Sequence, residues 1–310
     1  ISQTTWTQNT PYVFRDDAFI AGGAALTVDP GVEIHGHEFS LRVDGSLTLS
    51  GEPESQIVVY DLSIEPGNTS EDASHSVSIS NAILSKGTLF SQQRDGGGLT
   101  LVDSIIIEAD PIIVNDPIYT SDIERNVFVR SGGLSLSAKD GADINVVGNV
   151  FFEQTSAYAV NLLGADNASV AVENNSFLSK DNIAIRFNGN QDDNLFNAQF
   201  NYWNTIDPSK IETMIFDGLD SNEDHRVVFE PYLFTPHDEV AQTLGITQIP
   251  DADGDGAPDI ADAFVDDPTE YLDTDGDGLG NNADNDDDGD ELLDTDDAFP
   301  LDADESLDTD

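Results

Sequence analysis

One short pattern occurs at Asn149-Val150-Phe151 and again at Asn175-Ser176-Phe177 and Asn201-Tyr202-Trp203. In each copy an Asn is followed two positions later by a large aromatic side chain, and the copies start 26 residues apart. Towards the N-terminus the same pattern, with Asn or Asp and an apolar residue, occurs at Asn126/Phe128, Asp103/Ile105 and Asn81/Ile83. The whole series therefore repeats every 22 to 26 residues.

Short alternating segments lie just before several of these copies, at Val77-x-Ile79, Leu99-x-Leu101, Ile144-x-Val146 and Val170-x-Val172. Short strands and polar turns with this period are typical of a solenoid. In a solenoid, like residues of successive coils stack about 4.8 Å apart. We therefore expect Phe128, Phe151, Phe177 and Trp203 to form one internal stack. The Asn residues are predicted to be structural, because Asn tolerates left-handed backbone and its amide bonds along a ladder.

The first 66 residues contain strand-and-turn units separated by Gly and Pro, such as Ala24 to Ile34 and Val43 to Leu49. Together with Asn201-Tyr202-Trp203 and the later Val228-Phe229-x-Pro231, this run resembles secreted parallel β-helix proteins of the pectin-lyase-like superfamily. The resemblance covers residues 1–236 and implies an all-β fold, a right-handed parallel β-helix solenoid. It departs at Asn204, where those proteins often carry Gly. Lyases, hydrolases, adhesins and phage spikes share this fold, so it does not define a function.

The charge of the chain excludes several partners. The 310 residues include 61 Asp or Glu, 11 Lys or Arg and no Cys, which gives a net charge of −50. Such a charge repels nucleic acids and anionic headgroups, and no apolar run is long enough to span a bilayer. We expect no nucleic-acid partner, no membrane insertion and an extracellular or cell-surface location, with any signal peptide already removed.

Acidic residues are concentrated at the C-terminal end. Residues 251–310 contain 25 Asp or Glu and no Lys or Arg. The polar stretch from Pro236 to Gln248 is typical of a linker. The predicted organisation is a β-helix over 1–236, a linker over 237–250, and a calcium-binding repeat segment over 251–310 that is truncated at its end. The alternative for such a tail is a disordered, solvated polyanion.

The spacing of the acids favours calcium. In Asp251-x-Asp253-Gly254-Asp255-Gly256-x-x-Asp259-x-x-Asp262, oxygens occupy loop positions 1, 3, 5, 9 and 12, and a Gly provides the sharp turn at position 6. This spacing wraps oxygen ligands around Ca²⁺, with a backbone carbonyl at position 7. The frame recurs from Asp273 with Gly278, and from Asp286 with Glu291 in place of the glycine. The predicted ligands are Asp251, Asp253, Asp255, Ala257, Asp259 and Asp262; Asp273, Asp275, Asp277, Leu279, Asn281 and Asp284; Asp286, Asp288, Asp290, Leu292, Asp294 and Asp297; and Asp308 and Asp310 of a fourth, incomplete loop.

These loops also form an internal repeat. Residues 251–275 and 286–310 share 14 identities in 25 positions. Pro268 and the absence of an amphipathic period between the first two loops argue against EF-hands. The alternating long and short spacing resembles thrombospondin type 3 repeats, which implies ion-wrapped loops without regular secondary structure. The animal versions carry cysteines that are absent here, so metal alone would hold this segment together.

The sequence contains no convincing catalytic set, and no catalytic residue is predicted. Polygalacturonate hydrolases with the parallel β-helix fold use paired Asp, His-Gly and Arg-x-Lys motifs. The counterparts here are Asp192-Asp193 in a polar loop and His35-Gly36 on a predicted solvent-facing strand, and the basic motif is missing. Arg226 is interpreted as part of a capping turn. The favoured function is a non-enzymatic extracellular calcium-binding scaffold for adhesion or for surface or filament assembly, with itself or an extracellular polysaccharide as partner. The alternative is a polysaccharide-binding or polysaccharide-degrading β-helix protein.

Overall fold

The computed structural model describes residues 4–8, 11–66, 76–87, 98–115, 120–139, 143–166, 169–178, 183–188, 195–217, 226–234, 236, 252–253, 263–270, 274–275, 277–290, 292–295 and 300. The chain forms two compact units, Ile1–Gly245 and Ile246–Asp310. The predicted linker, residues 237–250, lies outside the described residues.

The first unit is a parallel β-solenoid, and the all-β prediction is confirmed. Strands are numbered here in chain order. One sheet contains β1 (Thr4–Trp6), β4 (Ala25–Val28), β7 (Ser46–Ser50), β10 (Ser76–Ser80), β12 (Leu99–Val102), β15 (Ser121–Glu124), β18 (Asp143–Val147) and β21 (Ser169–Glu173). The second contains β2 (Tyr12–Val13), β5 (Glu33–His35), β8 (Ile57–Tyr60), β11 (Ala82–Ser85), β13 (Ile105–Ile107), β16 (Val127–Val129), β19 (Val150–Phe152) and β22 (Ser176–Phe177). Each strand pairs in parallel with the equivalent strand one coil away, for example Phe128 with Phe151.

A third side completes the coils. Its longer sheet contains β14 (Ile112–Asn115), β17 (Leu134–Lys139), β20 (Tyr158–Asp166), β23 (Ile183–Phe187) and β25 (Ile215–Phe216). The early coils use β3 (Ala18–Ile20), β6 (Ser40–Val43) and β9 (Ser63–Pro66) on this side. A separate two-stranded sheet contains β24 (Leu195–Asn197) and β26 (Arg226–Val228). One short helix, α1 (Pro208–Thr213), begins after Asp207, whose side chain accepts a hydrogen bond from the Ser209 amide at 3.0 Å. An oxygen-bearing side chain before a Pro is a common helix start.

The aromatic stack predicted from the repeat is present inside the solenoid. Ring centroids are 4.8 Å apart between Phe128 and Phe151, 5.3 Å between Phe151 and Phe177, and 5.1 Å between Phe177 and Trp203. All four side chains are fully buried. Their column confirms that one aromatic per coil fills the same place in successive turns.

The Asn residues form the predicted ladder beside this stack. The amide nitrogen of Asn126 donates to Oδ1 of Asn149 at 2.9 Å, that of Asn149 to Oδ1 of Asn175 at 2.9 Å, and that of Asn175 to Oδ1 of Asn201 at 2.8 Å. All four Asn side chains are buried. Because each carboxamide satisfies a buried backbone group of a neighbouring coil, the structural role predicted for these residues is confirmed.

The two earliest copies of the pattern, at Asn81 and Asp103, lie one residue before the ladder position. Ser104, not Asp103, donates its amide to Oδ1 of Asn126, and Ala82, not Asn81, donates to Oγ of Ser104. Asn81 and Asp103 have φ values of 48° and 51°. They lie in a left-handed turn position, which also favours Asn and Asp, and this explains why the sequence pattern continued through them.

Candidate metal centre

The described part of the second unit contains turns and bends but no helix or strand. Of the predicted ligands it describes Asp253; Asp275, Asp277, Leu279, Asn281 and Asp284; and Asp286, Asp288, Asp290, Leu292 and Asp294. The other predicted ligands, Asp251, Asp255, Ala257, Asp259, Asp262, Asp273, Asp297, Asp308 and Asp310, lie outside the described residues.

Two groups of carboxylates converge in this segment. In the loop from Asp273, carboxylate oxygens of Asp275, Asp277 and Asp284 lie within 4.8 Å of one another. In the loop from Asp286, those of Asp286, Asp288 and Asp290 do the same. Three carboxylate oxygens this close together, with no base in the segment, repel one another unless a cation lies between them. Each group could therefore hold a metal ion.

The two loops share one hydrogen-bond pattern. The amide at position 5 donates to Oδ1 at position 3: Asp277 to Asp275 at 3.0 Å, and Asp290 to Asp288 at 3.2 Å. The amide at position 7 donates to Oδ1 at position 5: Leu279 to Asp277 and Leu292 to Asp290, both at 2.7 Å. These bonds hold one oxygen of each Asp against the backbone. The repeat in the sequence is therefore also a repeat in local geometry.

The residues at position 9 bond to the backbone near the start of each loop. Oδ1 of Asn281 accepts from the Thr274 amide at 3.1 Å, and Oδ1 of Asp294 accepts from the Asp287 amide at 2.9 Å. In both loops this bond ties position 9 to position 2. In calcium loops position 9 often acts through water, which agrees with a side chain that closes the loop.

Glycines allow the backbone to turn between the ligands. Gly278 has φ of +91° at position 6 of its loop, as the spacing requires. In the next loop Gly289 has φ of +72°, at position 4. A Cβ at Gly289 would lie 2.9 Å from Oδ2 of Asp275, so this glycine also lets the two loops approach each other.

Glu270 is a site residue that the sequence interpretation missed. Its side chain is buried, and its Oε2 accepts a hydrogen bond from the Asn282 amide at 3.0 Å. Asn282 in turn donates to the Thr269 carbonyl at 2.6 Å. Glu270 thus fixes the chain between the two loops. Its only sequence signal is its repetition 35 residues later as Glu305.

Asp287 lies among the carboxylates of both loops. Burial raises the pKa of Asp287 above its usual value, and the charges of Asp294 and Asp284 raise it further. A hydrogen bond with Asn281 lowers the pKa but does not reverse the rise, and among the described residues no group donates to the buried Oδ1 of Asp287. The local field therefore opposes a further negative charge, as expected at a site that a cation would neutralise.

Of the residues considered for catalysis, the structure describes His35, Gly36 and Arg226. Asp192 and Asp193 lie outside the described residues, and Arg226 begins β26. His35 lies in a surface pocket with Glu33, His37, Tyr60 and Asp61. Its Nε2 lies 3.8 Å from Glu33 Oε2, and its ring stacks on Tyr60 with centroids 5.2 Å apart.

In the part of the chain that is described, no helix has the length and apolar character needed to cross a bilayer. Comparison with protein-family models, with curated proteins and with solved structures found no match. Function is therefore inferred from the residues and their geometry.

Proposed function

We propose that this protein is a non-enzymatic, extracellular calcium-binding scaffold that acts in adhesion or in surface or filament assembly. The observation that carries the proposal is the pair of consecutive loops, each with three carboxylates within 4.8 Å and the same hydrogen-bond pattern. We further propose that residues 251–310 are thrombospondin type 3-like repeats and that the solenoid is a right-handed β-helix of the pectin-lyase-like superfamily.

Calcium is the cation that best fits the donor set. All the side-chain donors are hard oxygens, which suit Ca²⁺, Mg²⁺ or Mn²⁺ rather than softer metals. Ca²⁺ accepts six to eight ligands in irregular geometry, whereas Mg²⁺ requires a near-ideal octahedron. Consecutive twelve-residue loops supply many oxygen ligands in an adaptable arrangement. Each bound Ca²⁺ also neutralises two of the closely spaced negative charges. Binding energy then becomes folding energy for a segment with little apolar core.

The solenoid supports a role in assembly. Its first coil contains β1 and β2, which are edge strands among the described residues of their sheets. Edge strands offer unpaired backbone donors and acceptors for another copy or another chain. Calcium would reduce the charge of −50 that keeps copies apart. A rigid solenoid with a metal-dependent acidic segment is suited to a surface scaffold.

Sedimentation of the full chain with and without Ca²⁺ tests this proposal. We expect larger species with calcium, reversed by a chelator. The variant with Asp275, Asp277, Asp286 and Asp288 all changed to Asn should assemble less at the same calcium concentration. A single species of unchanged size under all conditions would contradict the assembly role, whereas calcium binding itself is measured separately by calorimetry.

The second candidate is a polysaccharide-binding or polysaccharide-degrading protein. The surface pocket around His35 favours it, because imidazole, phenol and carboxylate groups from two neighbouring coils meet there. Depolymerisation assays on uronic-acid polymers distinguish the candidates. The scaffold proposal predicts no cleavage and no effect of the double substitution Asp192→Asn and Asp193→Asn. Cleavage that this double variant or His35→Ala abolishes would establish the enzyme instead.

A further inference from the structure

A polar patch lies on the outer face of the third side of the solenoid. Asn161 on β20, Arg186 on β23 and Phe216 on β25 are direct neighbours across three parallel strands. The residues that precede them, Val160, Ile185 and Ile215, are buried in the core. Because side chains alternate along a strand, the three neighbours point away from the core.

Two aromatic rings hold the guanidinium group of Arg186. Its Cζ lies 5.2 Å from the ring centroid of Tyr158 and 5.8 Å from that of Phe216. Contacts of this kind orient a planar guanidinium without using its hydrogen-bond donors. The two rings therefore fix the orientation of the guanidinium plane.

Arg186 differs from three other arginines of the solenoid. Arg42 pairs with Asp44, Arg125 with Asp103 and Glu124, and Arg130 with Glu108. Among the described residues, no carboxylate lies within ion-pair distance of Arg186. This is unexpected in a chain with 61 acidic residues and 11 basic ones. Within the part of the chain that the structure describes, Arg186 is thus a cation without an acidic partner.

An unused donor and an unused acceptor lie on neighbouring strands of this patch. Both atoms are buried, and among the described residues Nε of Arg186 has no acceptor and Oδ1 of Asn161 has no donor. Leaving such groups unsatisfied is unfavourable, so native structures rarely contain them without a functional or structural reason. A ligand with both an acceptor and a donor would satisfy the two atoms together.

We propose that Arg186 and Asn161 form a binding site for a singly charged hydroxycarboxylate. The carboxylate accepts two hydrogen bonds from the guanidinium, through Nε and a terminal nitrogen, and the hydroxyl group donates to Oδ1 of Asn161. The site lies in the solenoid and does not depend on the calcium proposal.

The charge of the protein selects the ligand class. A field from a net charge of −50 repels anions in proportion to their charge, so it disfavours a phosphate dianion more than a monoanion. The acceptor on Asn161 requires a ligand with a hydrogen-bond donor such as a hydroxyl group, which acetate and sulfate lack. Entry requires one ring to rotate from the guanidinium. This exchange is favourable because a cation–π contact is weaker than a bidentate, charge-assisted pair of hydrogen bonds.

The test uses the nitrogen-15-labelled full chain, freed of metal on a chelating resin, and follows the arginine Nε–Hε signals by NMR. Glycolate and D-glucuronate are the hydroxycarboxylate probes, as a free acid and a sugar-borne acid, and acetate and inorganic phosphate are the comparison anions. We expect a saturable shift of the Arg186 signal with one or both hydroxycarboxylates, and weaker binding of acetate and phosphate.

Arg186→Lys should lower the affinity for the hydroxycarboxylate probes at least about tenfold, because Lys keeps the charge but loses the planar pair of donors. The Asn161→Ala variant should bind glycolate no more tightly than it binds acetate. Arg42→Lys is the matched control, since Arg42 also stacks on a ring, at 5.3 Å from Phe19, but is paired with Asp44. No saturable shift at Arg186 in the wild-type chain, or equal binding of acetate and phosphate, would overturn the proposal.

Discussion

Nδ2 of Asn149 donates a hydrogen bond to Oδ1 of Asn175 at 3.0 Å, one coil further along the solenoid. The same Nδ2 lies 2.8 Å from the carbonyl oxygen of Ile123, in the coil before. One carboxamide thus joins three successive coils. Because Asn149 is fully buried, a polar group that loses its bond to this side chain cannot bond to water instead.

Replacing Asn149 with Ala should strongly destabilise the solenoid. The change removes the partner of the Asn126 amide, the bond that Asn149 Nδ2 makes to the Ile123 carbonyl, and one of the two bonds of Asn126 Nδ2, which keeps its bond to the Leu101 carbonyl. At about 1–3 kcal/mol for each unsatisfied buried group, we expect a loss of about 3 kcal/mol or more in the free energy of unfolding. Denaturant titration measures it. Asn145→Ala, which removes one part-buried bond to Asp122, is the control and should lose less than about 1 kcal/mol. Equal losses in both variants would contradict the ladder.

Replacing Phe151 with Ala should leave a cavity in the aromatic stack. Phe151 is fully buried between the rings of Phe128 and Phe177. The expected loss in unfolding free energy is about 3–5 kcal/mol. Phe234, which is 73% exposed, provides a control in Phe234→Ala with little expected effect. A loss below about 1 kcal/mol at Phe151 would mean that its ring is not in the core.

The repeat in the solenoid could be predicted because in-register stacking requires the same kind of side chain in every coil. Asn126, Asn149, Asn175 and Asn201 satisfy that requirement, and so do the aromatics beside them. The pattern does not mark the ladder position at Asn81 and Asp103. Those two residues lie in a left-handed turn beside the buried ladder, and both places favour Asn or Asp. The spacing of the Asp residues likewise predicts the loops. It does not indicate that Glu270 is buried, or that Arg186 has no ion pair with any described residue.

Replacing Gly278 with Ala should weaken calcium binding by the loop from Asp273. Gly278 has φ of +91°, and a Cβ there would meet no atom within 4 Å. The effect would therefore come from backbone strain alone, about 1–2 kcal/mol or about a tenfold loss in affinity. Gly23→Ala is the matched control, because Gly23 has φ of +75°, equally open surroundings and a place in the solenoid. Calorimetry should find normal calcium binding in that control. Unchanged affinity in Gly278→Ala would argue against ordered loop geometry around the ion.

Acid should stabilise the loops in the absence of metal. Burial and the charges of Asp294 and Asp284 raise the pKa of Asp287, so its neutral form is favoured in the folded segment. Its contribution to stability is therefore complete below the unfolded pKa of about 3.9 and is lost as pH rises through the higher folded value. Amide hydrogen exchange of residues 285–294 without metal should show protection that falls with rising pH. Asp287→Asn should reduce this pH dependence.

Asp266→Asn, at an exposed carboxylate of the same segment, is the control for that experiment and should keep the pH dependence of the wild-type chain. If Asp287→Asn and Asp266→Asn behave alike, the burial of Asp287 has no energetic consequence.

The loop from Asp286 should bind calcium more weakly than the other complete loops. Position 6 of this loop is Glu291, whereas the loops from Asp251 and Asp273 have Gly256 and Gly278 there. A residue with a Cβ makes the sharp turn at a conformational cost that glycine avoids. Glu291→Gly should therefore raise the affinity of the weakest step in a calcium titration. An unchanged or lowered affinity would contradict this ranking.

Calorimetric titration of the full chain with Ca²⁺, followed by small-angle scattering of the same samples, tests the calcium scaffold most directly. Without metal, 25 acidic residues in the last 60 repel one another, and the segment should be expanded. We predict that three or more ions bind and that the molecule becomes more compact as they do. Fewer than two bound ions, or no compaction at millimolar calcium, would contradict the account.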